Sequence, residues 1–103
     1  MTTVTFYERF RSVTVSGHSG YAEEGSDIVC ASVSSMVIYF CNAAEALGAE
    51  AKIRTDEKEG FLFWELASPH PEAETLARVL YAELRELGTQ YPQYVRVIKS
   101  ERE

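Results

Sequence analysis

The chain has 103 residues, 46% hydrophobic and 25% charged, the proportions of one globular domain, residues 1–103, rather than a disordered segment. A formal net charge of −6 counts against nucleic acid as a direct partner, which needs clustered Lys and Arg, and leaves room for a basic protein or peptide. No stretch approaches the roughly 20 apolar residues that span a bilayer, and "MTTVTFYERF" lacks the basic-then-apolar order of a signal peptide, so no membrane partner is expected and the expected location is cytoplasmic.

Residues 3–10 alternate, with Val4, Phe6 and Phe10 on one face, and read as a strand. Residues 12–16 alternate again through Val13 and Val15. The junction at residues 9–11 carries no good turn signature, which leaves the hairpin boundary open. Gly17, Gly20 and Gly25 mark residues 17–25 as a loop. Ser26 or Asp27 is a fitting N-cap for the next element. From there to Leu47, Val29, Val33, Met36, Phe40, Ala44 and Leu47 recur at helical spacing. The polar face is thin, so this helix is expected to be buried on much of its circumference, and Gly48 ends it.

Residues 50–55 and 61–67 read as a second hairpin around "DEKEG". The later strand is apolar on both faces: Phe61 and Phe63 point one way, Leu62, Trp64 and Leu66 the other. Such a strand needs cover on both sides, and a subunit interface could supply the second. Pro71 opens a helix whose stripe is Leu76, Leu80, Leu84 and Leu87, with Gly88 closing it. Residues 94–99 form a last strand. The expected fold is an α+β two-layer sandwich in ββαββαβ order, a mixed or antiparallel sheet with two main helices.

The chemistry concentrates in "GHSGYAEEGSDIVCASVS", residues 17–34. A thiol attacks as its thiolate, which a nearby imidazole, a helix N-terminus or partial exposure favours. Cys30 falls at the third or fourth helical position, where free N–H groups and the helix dipole favour an anion. Those N–H groups could also stabilise the oxyanion of a tetrahedral intermediate. His18 follows the second strand and can fold back on the sulfur as base. Asp27 could orient the imidazole or only cap the helix. Ser34, one turn beyond Cys30, could donate a hydrogen bond to substrate or thiolate. The plain alternative is a small core residue and a turn histidine.

The two cysteines, Cys30 and Cys41, lie about 16 Å apart on one helix at 1.5 Å per residue, too far for a disulfide. Both are expected to be free thiols, Cys41 in the core. No metal is expected, because Cys30 and His18 are two ligands where structural zinc takes four. No cofactor is expected either. His70, between two prolines, reads as a surface residue, and Trp64 as core or dimer interface.

The same 18 residues closely resemble the signature of the ribosomal-processing cysteine proteases, a pattern like GHA…G.DIVCAAVS. Chain length and element order resemble that family as well. The resemblance implies a cysteine endopeptidase (a thiol protease) that removes a short N-terminal extension from a bacterial large-subunit ribosomal protein, and a homodimer. It implies His18 and Cys30 as the catalytic pair, with Asp27 and Ser34 as the matching aspartate and serine. Ser19 and Ser32 stand where the pattern has alanine, and the first hairpin looks shorter than usual, which bears on substrate detail more than chemistry. On this reading residues 19–25 close over an extended substrate, with Gly20 and Gly25 as hinges and Tyr21 resting on the substrate or on its own domain. Glu23 and Glu24 would face basic residues or solvent. The competing expectations are a non-catalytic dimeric module that binds a ribosomal protein or assembly factor, and a redox or acyl-transfer protein using Cys30 alone.

Overall fold

The computed structural model describes residues 1–18, 20–23 and 27–100. The expected order is present. Strand β1 (Thr2–Phe6) and β2 (Ser12–Ser16) are followed by helix α1 (Ile28–Ala46), β3 (Ala51–Asp56), β4 (Phe61–Leu66), α2 (Pro71–Gln90) and β5 (Val95–Lys99). The sheet runs β3-β4-β2-β1-β5. Only the β1–β5 pair is parallel; the other three neighbours are antiparallel.

Strand alternation sends one set of side chains toward the helices. Val4 pairs with Val15, and Phe6 with Val13, which in turn faces Trp64. All five are buried, together with Val29, Val33, Val37 and Phe40 of α1 and Ala73, Ala77, Leu80 and Leu84 of α2. Trp64 packs edge-on against Phe40 with ring centroids 4.6 Å apart, which assigns it to the core. Burying each large side chain contributes about 1.5–3 kcal/mol.

Two element ends and the role of one residue differ from the sequence expectation. The first strand does not reach residue 10: it stops at Phe6, and Glu8–Phe10 form a single 3-10 turn with Arg9 at φ 64° and Phe10 at φ 55°. That turn returns Phe10 to the core, where its ring meets Phe6 and Tyr81. Helix α2 continues through Gly88 to Gln90, since a glycine weakens a helix without terminating it. His70 is a capping residue, not a bystander: its Nδ1 accepts the Ala73 N–H at 3.2 Å. Its own N–H donates to Glu74 Oε2 at 3.0 Å.

Helix α1 is buried on one stripe only. Ile28, Ile38 and Tyr39 stand exposed, because the sheet covers one side and α2 only flanks it. With 19 residues, it is the one helix among the described residues that is long and apolar enough, by length and composition alone, to cross a membrane. It is not an unbroken apolar run, since Ser32, Ser34, Ser35, Asn42 and Glu45 interrupt it. In the fold its buried stripe lies in the core of the sandwich.

Candidate active site

Antiparallel pairing of β2 with β4 sets the end of β2 beside the start of β4, through Val15 and Leu62. Residues 17 and 18 therefore leave the sheet next to the β3–β4 turn. Helix α1 begins close by. A cleft of about 410 Å³ opens between these three pieces, and His18, Cys30 and Ser34 all line it. The structure thus brings together three of the residues that the sequence singles out. His18 is exposed and Cys30 half-buried. Val37, Ile38, Phe61 and Leu62 make an apolar wall, and Asp56 and Glu57 form an acidic edge.

Asp27 is the N-cap of α1, which makes Cys30 the third helical residue. Its Oδ1 accepts the N–H of Val29 at 3.0 Å and of Cys30 at 2.9 Å. Its Oδ2 accepts the Tyr21 N–H at 3.2 Å. The buried carboxylate therefore ties the loop to the helix tip and complements the dipole there. Its main-chain oxygen accepts the Ala31 N–H at 3.0 Å. The amides of Val29, Cys30 and Ala31 are thus engaged by Asp27, so they are not the open oxyanion donors expected from the sequence.

The loop after β2 is docked through Tyr21. Its ring meets Tyr91 edge-on at 5.5 Å and Tyr94 at 5.2 Å, so it rests on its own domain here. Gly20 has φ +74° and open space around it, a backbone conformation that glycine adopts without steric cost. Glu23 is exposed. Ser19, Glu24, Gly25 and Ser26 lie outside the described residues, and with them the second hinge and the alternative cap.

Sequence reasoning missed the β3–β4 turn. His18 Nε2 lies 3.3 Å from the Lys58 carbonyl oxygen. A Cβ at Gly60 would stand 3.0 Å from His18 Cε1. The signal was present in the glycine that ends "DEKEG", but only the strand order shows which residue it faces. Cys41, half-buried on the same helix, has its thiol pushed up to about 11 by burial and keeps its proton at neutral pH. Among the described residues no three His, Cys, Asp or Glu side chains cluster as a metal site.

Residues 1–96 match the family model described as "Cysteine protease Prp". The ribosomal processing cysteine protease Prp of Bacillus subtilis is 37% identical over 71 residues, 67% of this chain. The match spans 63% of that relative's length, under two thirds. The protein of the same name from Mycoplasma pneumoniae is 31% identical over 87 residues, 81% of each chain. In fold, the chain resembles an essential ribosomal processing protease Prp from S. aureus, solved in complex with a covalently linked product peptide. That likeness has a TM-score of 0.89 and 24% identity, and covers 97% of this chain and 100% of the other.

Proposed function

The chain belongs to the cysteine protease Prp family, and we propose that it is an endopeptidase in which Cys30 is the nucleophile and His18 the general base. The observation that supports this reading is their convergence on one cleft from the loop after β2 and from α1. His18 takes the thiol proton, and Sγ attacks the scissile carbonyl carbon to give a tetrahedral oxyanion. Collapse breaks the C–N bond, and the amine leaves with the proton from His18. Water, deprotonated by His18, then attacks the thioester carbonyl, and the thiol departs with its proton restored. Ser34 lines the cleft one turn from Cys30, and on this reading it donates to substrate. Asp27 acts from behind, by fixing the start of α1.

We propose the substrate to be a large-subunit ribosomal protein precursor whose short N-terminal extension is removed in the cytoplasm. Three things support this: the names of both curated relatives, the peptide held by the S. aureus protein, and the cleft itself. Its apolar wall suits a large uncharged side chain beside the cut, and its acidic edge suits basic residues near it. The test is exact-mass analysis of such a precursor after incubation. The wild-type chain should shorten it, Cys30→Ala should be at least about a thousandfold slower, and His18→Ala about a hundredfold or more. A Cys30→Ala protein that cuts at the wild-type rate would end the proposal.

A further inference from the structure

The geometry points to the β3–β4 turn as the positioning element of the His18 ring, with the Lys58 carbonyl as acceptor and Gly60 as the clearance that admits it. This inference rests on His18 being the base of the proposed reaction. A carbonyl oxygen can only accept, so His18 Nε2, 3.3 Å away, must be the protonated nitrogen of the pair. A neutral ring held this way keeps its lone pair on Nδ1. Nδ1 is then the atom that takes the thiol proton. Cysteine chemistry needs a base in a fixed tautomer, and side-chain carboxylates or amides often fix it. Here a main-chain oxygen is in place to do so.

The glycines around the ring fit this role. Gly60 has φ +63°, and a Cβ there would lie 2.7 Å from the Gly17 carbonyl oxygen as well as 3.0 Å from His18 Cε1. Gly17 has φ +86°, and a Cβ there would collide with the Met1 carbonyl oxygen. Thr2 Oγ1 donates to the Gly17 carbonyl at 3.4 Å. The Gly17–His18 peptide is therefore gripped between the start of β1 and the β3–β4 turn. Both walls approach at distances that only glycine permits. The turn is itself built for rigidity, since Asp56 Oδ1 accepts the N–H groups of Lys58 and Glu59 at 3.1 and 3.3 Å.

The test uses nuclear magnetic resonance on the resting protein and kinetics on Gly60→Ala. In the wild type, His18 Hε1 should show a nuclear Overhauser contact to Gly60 Hα, because that hydrogen occupies the place of the missing Cβ. The neutral ring should carry its proton on Nε2. In Gly60→Ala the ring resonances should shift and kcat should fall at least tenfold, with KM within about threefold. Absence of the Hε1–Hα contact in the wild type, a neutral ring protonated on Nδ1, or an unchanged kcat in Gly60→Ala would overturn the inference. If Gly60→Ala does not fold, the wild-type spectrum decides alone. That spectrum is recorded without substrate. A protein showing the contact but cutting nothing would refute the peptidase reading and leave the ring placement standing.

Discussion

Two thiols eleven residues apart on α1 meet opposite surroundings. Cys30 lines the open cleft, whereas Cys41 packs against the core and keeps its proton. Under native conditions near neutral pH, limiting iodoacetamide should therefore label the chain once, at Cys30, with Cys41 reacting only after denaturation. Peptide mass mapping checks this, and equal labelling of both would contradict it. The burial of Cys41 also has a consequence for stability. Its folded-state pKa lies above its unfolded value, so its contribution is whole below about 9 and is lost as pH rises toward about 11. Within that window the unfolded chain binds fewer protons than the folded one. The melting temperature of the wild type should therefore drop more between pH 8.5 and 11 than that of Cys41→Ala, whatever the starting values.

At the scale of elements, sequence periodicity located every strand and helix and the nucleophile-bearing helix tip, because those follow from local pattern. The Asp27 cap was legible as one of two candidates, since a carboxylate just before an apolar helical run has few other uses there. What failed was non-local or non-standard. Arg9 and Phe10 adopt positive φ without being Gly or Asn, so nothing in the residue types announced that the first strand ends at Phe6. The outer face of α1 was expected to be covered because it is apolar, but one sheet and one flanking helix cannot surround it. The partnership of His18 with Lys58 and Gly60 depends on β4 lying next to β2, a fact of topology. The Arg9 turn yields a test. Arg9 is exposed, at φ 64°, where a side chain costs about 1–2 kcal/mol relative to glycine. Arg9→Gly should therefore raise unfolding free energy by up to about 1 kcal/mol in urea titration, although glycine ordinarily weakens a structured position. A loss of similar size would show that the turn is held by the arginine side chain instead.

The whole molecule joins a covered sheet face to an open one. Phe63, paired with Thr14 and Arg54, lies on the face away from Trp64, and Ile38 and Tyr39 add exposed apolar area on α1. The homodimer that the sequence resemblance implies would give these residues cover, and sedimentation equilibrium at micromolar concentration would then give twice the 11.6 kDa chain mass. A monomer at all concentrations would refute the homodimer. The acidic balance of the surface suits a basic ribosomal precursor by steering its approach, an effect that weakens with salt. The catalytic claim itself is tested most directly by rapid acid quench of the enzyme with such a precursor, followed by intact-mass measurement of the enzyme. A thioester between Cys30 and the released N-terminal fragment should appear, adding that fragment's mass less one water, and it should be absent from Cys30→Ala. Shortened precursor formed at the wild-type rate by Cys30→Ala, which can carry no such adduct, would contradict the account.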